Sequence, residues 1–479
     1  MTNVGITAYG IYLPWYRLSR KAISTALGAL SGGSQPGEKT VANYDEDSLT
    51  MAVSAARDCL KSSGQGGGVQ GLLFASTTAP YRERESASII STALNLGAEI
   101  RTADISNSLR AGTTALMSAC EMVSAGTDKV LVCAAESRLG KPGSNEEMTL
   151  GDGSASFMLG MEGVIAHLAG QYVAAYDFPD YRRLPQDKFV RSTEERFIRE
   201  EGFSKMIPQA IAGLLKKYKL EAKDFAKVAF PCTNAREHAA IGKRLGFTQE
   251  QVQTHLLASV GETGTASPMI LLVAMLEEAK PGDNILLVGY GSGAEALYFK
   301  VTEEITRVKD RSRLKKAIET KQSLNSYEKY LIFRGIIPMA GFDDDVPRTQ
   351  LPMAWRERRA ILALQGSKCK RCGTPQYPPQ RVCVNPSCGA IDEMEGFGFA
   401  DKKAVLFSFT EDHASRCINP PLIYGMVEFE VGGRFPFDLT DCEMGTVKTG
   451  MPLEMVLRRK YVDELRSVVG YFWKARPAR

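Results

Sequence analysis

Histidine is scarce in this chain. There are four in 479 residues, His167, His238, His255 and His413, and no two are spaced as metal ligands. No metal centre built on imidazoles is therefore expected, and each histidine reads as structural or exposed. Long apolar runs are also missing. Stretches such as PMILLVAML fall well short of the ~20 residues a membrane-spanning helix needs. The opening MTNVGITAYGIYLP has no basic stretch followed by an apolar block, so it carries no secretory pattern. An excess of one charge is absent too: 59 basic against 55 acidic residues leave +4, which implies neither a nucleic-acid nor a membrane partner. The local basic run at residues 307–316, RVKDRSRLKK, reads as a solvated helix face. Ten cysteines without an export signal point to a reducing cytoplasm, with thiols and metal rather than disulfides.

What is present alternates. Strand-like and helix-like segments follow one another through the first 300 residues, the pattern of an α/β layered domain. Residues 48–60 have helical periodicity, with Ser48 where an N-cap would sit. Residues 113–124, TTALMSACEMVS, are apolar all round and predict a buried helix. Residues 71–76, 129–135 and 156–159 read as strands. The pattern then repeats, with a second apolar helix at 266–278 and paired strands at 284–290 and 295–301, so an internal duplication is expected. Residues 302–331 look like a charged helical tail or linker. Beyond about residue 350 short strands come at close spacing (405–410, 422–430, 434–438 and 453–459), which predicts a small β-barrel.

Between tail and barrel stands CKRCGTPQYPPQRVCVNPSC. Two short knuckles, Cys369 with Cys372 and Cys383 with Cys388, supply the four soft ligands of a tetrahedral zinc. A site closed by four thiolates has no open position, so this zinc is expected to be structural.

The segments GSKCKRCG, YPPQRVC, FSFTEDH, PPLIYGMVEFE and KTGMPLEMVLR, with AWRERR before them, resemble the zinc-ribbon plus OB-fold (DUF35-type) proteins. Those proteins accompany thiolases and archaeal hydroxymethylglutaryl-CoA synthases. The stretches YGIYLPWYRL, DEDSLTMAVSAARDCL and AKPGDNILLVGYGSGA, with SLRAGTTAL, GDGSASFMLG and IGKRLGF, resemble archaeal-type hydroxymethylglutaryl-CoA synthase of the thiolase superfamily. The resemblance implies a duplicated five-layer thiolase-like fold over residues 1–335. A helical linker (336–366), a zinc ribbon (367–395) and an OB-fold domain (396–479) would follow. It also implies a coenzyme A thioester as substrate or ligand, a homodimer through the first domain, and a hetero-complex with an active thiolase-like subunit.

In such synthases a cysteine at the N-terminus of the buried helix takes the acyl group, a histidine orients the thioester, and a glutamate moves the proton. The resemblance places these at Leu109, Pro231 and Thr77, and puts Glu262 where the family has an asparagine. Leucine and proline offer no lone pair, proton or thiol. The remaining polar candidates are Tyr81, Ser108, Arg110 and Glu262. Cys232 is a weaker one, and Cys120 reads as core. Three functional expectations follow: an acyl-CoA-handling subunit of a carbon–carbon bond-forming or -cleaving complex, an enzyme of altered, non-covalent aldol or retro-aldol chemistry, or an ordinary synthase-like acyltransferase.

Overall fold

The computed structural model describes residues 3–31, 35–64, 67–231, 234–339 and 350–479. They fall into two units. One is Met1–Ala42, Asp47–Ser88 and Ala98–Tyr330; the other is Asn43–Glu46, Ile89–Gly97 and Leu331–Arg479. Among the described residues no helix is long and apolar enough to cross a membrane.

The first unit is organised by a nine-stranded sheet. Its strands are β1 (Gly5–Tyr12), β2 (Gly71–Ala75), β3 (Arg101–Ile105), β4 (Val130–Glu136), β5 (Gly153–Gly160), β6 (Ala166–Ala175), β7 (Lys227–Ala229), β8 (Asn284–Tyr290) and β9 (Gly293–Val301). They lie in the order β7-β8-β9-β6-β1-β5-β4-β2-β3. From the antiparallel junction of β1 with β6, each half runs outward through two antiparallel pairings and then parallel ones. That mirrored pattern is the duplication expected from the repeated segments.

Two helices are buried against the sheet, α1 (Ala111–Ser124) and α2 (Ser267–Glu278). Pro268 through Leu276 are all buried, which is why α2 shows no polar face. The two meet at their N-terminal ends. A Cβ on Gly112 would lie 2.3 Å from the carbonyl oxygen of Thr265, so only glycine permits this approach.

Three local expectations need correction. The helix at 48–63 is capped by Asp47, not Ser48: the Asp47 carboxylate accepts from the Thr50 amide while the Thr50 hydroxyl answers it, a reciprocal box. Residues 302–331 are not a tail. Ile305, Leu314 and Leu324 are buried, and apolar anchors between the charges hold the segment in place. The basic run is likewise only partly solvated. Arg313 pairs with Asp58 at 2.6 Å, and Arg311 donates to the carbonyls of Leu276 and Ala279 at the end of α2, where the helix dipole favours a cation.

In the second unit, β10 (Gln365–Cys369) lies between β11 (Pro375–Gln376) and β12 (Met394–Gly398) in a three-stranded antiparallel ribbon. A five-stranded antiparallel sheet follows. It contains β13 (Ala404–Asp412), β14 (Leu422–Phe429), β15 (Arg434–Asp438), β16 (Pro452–Asp463) and β17 (Val468–Pro477), in the order β15-β14-β13-β16-β17. A bridge between Leu439 and Ala475 draws its edges together. Trp473, 1% exposed, fills the interior and donates its indole N–H to the Leu362 carbonyl at 2.9 Å.

Candidate active site and metal centre

The N-terminus of α1 opens on a cavity of about 320 Å³, lined by Thr77, Asn107, Ser108, Leu109, Arg138, Asp180, Tyr181, Arg182, Arg183, Val190, Gly291 and Ser292. The loop after β8 forms its floor. Ser108 donates its hydroxyl to the Gly291 carbonyl at 3.0 Å, and the Arg110 amide donates back to Ser108 at 3.3 Å. Gly291 has φ +152°, and a Cβ there would stand 2.8 Å from the Leu109 amide nitrogen, so a side chain would push this loop off the helix end.

Charge is concentrated behind this floor. Arg138 is paired with Glu262, both buried. The Gly264 amide also donates to Glu262 at 2.8 Å. Glu136, fully buried, accepts from the Thr78 hydroxyl at 2.6 Å and the Thr77 amide at 3.2 Å. Burial works against the charge on Arg138, and Glu262 and Glu136 overcome it, so its guanidinium is held protonated more firmly than usual. Asp180 is 5% exposed. Its Oδ1 accepts from the Tyr181 amide at 2.7 Å, while Oδ2 has no aligned hydrogen-bond partner, the Tyr290 hydroxyl beside it included. Burial pushes this carboxyl above the usual range, with the nearby amide and Arg138 pulling the other way.

The structure brings some of the sequence-derived candidates together and separates others. Thr77, Ser108 and Leu109 share the cavity; Pro231 does not. Pro231 lines a neighbouring cavity of about 220 Å³ with Asn234 and His238, and Tyr181 borders both. Arg110 turns away to Glu295, 3.4 Å distant, whose carboxylate also takes the hydroxyls of Thr113 and Thr114 at 2.9 and 2.7 Å. Tyr81 accepts from Arg84 at 2.8 Å and does not line the cavity. Glu262 serves Arg138. Cys232 lies outside the described residues. Cys120 is core, its thiol pushed up to about 12 by burial.

Sequence reasoning missed Arg138, Asp180 and Glu136. For Asp180 the signal available was PDYRR at 179–183, an acid beside two bases, and it went unused. His238 is likewise less isolated than its sequence spacing indicates. Its ring packs 4.3 Å from Phe230 and 5.3 Å from His255, and burial holds it down at about 4.

In the ribbon, the four sulfurs of Cys369, Cys372, Cys383 and Cys388 lie within 4.8 Å of one another. Cys369 Sγ is 3.8 Å from Cys388 Sγ, and Cys372 Sγ is 3.5 Å from Cys383 Sγ. Zinc–sulfur bonds of about 2.3 Å in a tetrahedron set sulfur–sulfur edges of about 3.8 Å, so the cage fits zinc. The hydroxyl and amide of Thr374 draw the Cys372 thiol down to about 6, toward the thiolate a metal requires.

Comparison with known proteins agrees with both units. Residues 215–299 match the family described as 3-oxoacyl-[acyl-carrier-protein (ACP)] synthase III C terminal. Residues 356–392 match the ChsH2 rubredoxin-like zinc ribbon domain, and 399–458 the ChsH2 C-terminal OB-fold domain. The hydroxymethylglutaryl-CoA synthase of Methanobrevibacter smithii is 33% identical over 346 residues, 70% of this chain and 100% of that protein. That of Methanopyrus kandleri is 32% identical over 321 residues, 65% of this chain and 91% of that one. Among solved structures, a hydroxymethylglutaryl-CoA synthase complexed with CoA superposes with a TM-score of 0.64 at 21% identity, covering 72% of this chain and 95% of that one. The 3-oxoacyl-(acyl carrier protein) synthase III of Pseudomonas aeruginosa superposes with a TM-score of 0.57 at 19% identity, covering 62% and 98%. The first unit is thus a thiolase-like α/β fold, the second carries zinc-ribbon and OB-fold domains, and the chain belongs to the hydroxymethylglutaryl-CoA synthase family.

Proposed function

We propose that this chain is an acyl-CoA-handling subunit of a carbon–carbon bond-forming or -cleaving complex, and that it forms no acyl-enzyme of its own. The observation that carries this reading is Leu109. It stands at the N-terminus of the buried helix, where the family places its nucleophile, in a cavity with neither cysteine nor histidine among its lining residues. A helix N-terminus favours a thiolate there; a leucine cannot use it. Acyl-CoA would enter through the pair of cavities that Tyr181 borders, by analogy with the relative complexed with CoA.

On this reading residues 1–335 keep the scaffold and dimerise, 336–366 link, 367–395 hold a structural zinc, and 396–479 dock to a thiolase-like partner that carries the cysteine. A cytoplasmic location suits ten cysteines with four committed to metal.

A second reading has its own support. The buried carboxyl of Asp180 and the cation of Arg138 share the cavity, and non-covalent aldol or retro-aldol chemistry on a β-hydroxyacyl-CoA needs an acid/base and a stabilised oxyanion but no thiol.

Incubating the purified chain, alone and with co-purifying proteins, with labelled acetyl-CoA separates these readings. Label confined to a partner supports the first. Turnover of a hydroxyacyl-CoA by the lone chain, with no label retained, supports the second. A stable acetyl-cysteine on the lone chain overturns both and restores ordinary synthase-like acyl transfer.

A further inference from the structure

We infer that Asp180 is a proton-transferring carboxyl and Arg138 its charge-stabilising partner, so that the cavity beside Leu109 labilises the α-proton of an acyl-CoA with no covalent intermediate. The inference rests on the second reading above, non-covalent chemistry by these two residues, and on acyl-CoA occupying this cavity.

Three observations converge on it. Asp180 and Arg138 both line the cavity, each 5% exposed, so both act in a desolvated setting where a charge is felt strongly. Asp180 Oδ2 is buried with only the unaligned Tyr290 hydroxyl beside it, whereas Arg138 Nε, also unpartnered, lies behind the floor near Gly264 and Glu136. Unsatisfied buried atoms are expensive, and they collect where a ligand completes them. Finally, Arg138 is fixed from behind by Glu262, whose own position is set by the Gly264 amide and by a backbone bridge to Leu150. A cation held this way needs no reorganisation when charge develops opposite it. Burial also raises the Asp180 carboxyl above its ordinary range, against the pull of the Tyr181 amide, Tyr290 and Arg138.

The step balances without a co-reactant. The Asp180 carboxylate takes a proton from the carbon next to the thioester. The C–H electron pair becomes the enolate, whose negative oxygen faces Arg138. Return of a proton from the Asp180 carboxyl, after exchange with solvent, regenerates the thioester. With a β-hydroxyacyl thioester the same carboxylate takes the hydroxyl proton. The bond between the α- and β-carbons breaks, the β-carbon becomes a carbonyl, and the proton is delivered to the α-carbon.

The test incubates the zinc-loaded full chain with acetyl-CoA in D2O and follows deuterium in the acetyl group by mass spectrometry, with binding measured in parallel by calorimetry. Exchange above the buffer rate is expected, falling about 100-fold or more in Asp180→Asn. Asp180→Glu, which keeps the carboxyl but displaces it, should retain an intermediate rate. The charge-neutral double variant Arg138→Gln/Glu262→Gln, which removes both charges of the pair, should lose about 100-fold. Binding without exchange overturns this inference and leaves the acyl-CoA site standing. Absence of binding overturns both. Undiminished exchange in Asp180→Asn, in protein that unfolds at the wild-type temperature, also overturns it.

Discussion

Arg138 and Glu262 form an ion pair whose side chains are only 3% and 8% exposed, at the back of the cavity that begins at Leu109. Such a pair holds position more than it adds stability, because each partner has given up water to make it. Glu262→Ala would leave the guanidinium buried with only Glu136 as counter-charge, and is expected to cost about 3 kcal/mol. Arg138→Met combined with Glu262→Leu should cost less than Glu262→Ala alone, since it removes both charges of the pair and keeps volume while Glu136 retains its Thr77 and Thr78 hydrogen bonds. Urea midpoints of the two variants check this; equal destabilisation would mean that the pair is not the buried unit described.

The zinc cage gives a second expectation. With Cys369 and Cys388 sulfurs 3.8 Å apart, little rearrangement separates the chain from a bound metal. Metal content should be one zinc per chain. Cys369→Ser, or a strong chelator, should release it and unfold the ribbon, because structural zinc contributes about 10–16 kcal/mol to such small folds. The first unit should keep its own unfolding transition. Calorimetry showing both transitions lost together would contradict this independence.

Much of this was legible in residue order, and the limits have physical causes. The ribbon was readable because zinc ligation fixes residue type and spacing together, and the two buried helices because they lack a polar face. The segment at 302–331 misled because charge dominates its composition while five buried side chains, Ile305, Leu314, Leu324, Tyr327 and Tyr330, decide its place. The candidate site divided in the same way. Leu109 and Thr77 were found by motif. Arg138 and Asp180 were not, since their meaning lies in burial and in partners more than 40 residues away, such as Glu262. Arg110 read as a ligand group until its neighbours across the sheet, above all Glu295, were known.

The second unit carries a pH dependence. Burial would raise Asp441, but Arg458, at 2.8 Å, with Arg476 and Arg479, holds it at about 2. Its folded value is therefore below the unfolded one of about 3.9, so the stabilisation is fully present above about pH 4 and is lost as pH falls toward 2. The difference in unfolding free energy between wild type and Asp441→Asn should be about 2 kcal/mol near neutrality and shrink steadily from pH 4 downward. A difference that stayed constant to pH 2.5 would show that this carboxylate is not the group responsible.

Leu109 offers the most direct probe of the cavity. Its amide sits at the start of a fourteen-residue buried helix, beside a loop that Gly291 allows to approach, and its side chain lines the cavity. Leu109→Cys would place a thiol in the positive field of that helix end, where cysteine is pulled toward thiolate. Leucine to cysteine removes roughly two methylene equivalents from a half-buried position, so a loss of about 1–2 kcal/mol is expected rather than unfolding. The variant should be alkylated by chloroacetyl-CoA at that single position while wild type is not, and free coenzyme A should slow the reaction. Peptide mapping by mass spectrometry reads both results. Faster labelling of a core thiol such as Cys120, or labelling indifferent to coenzyme A, would show that the thioester end does not reach the start of this helix.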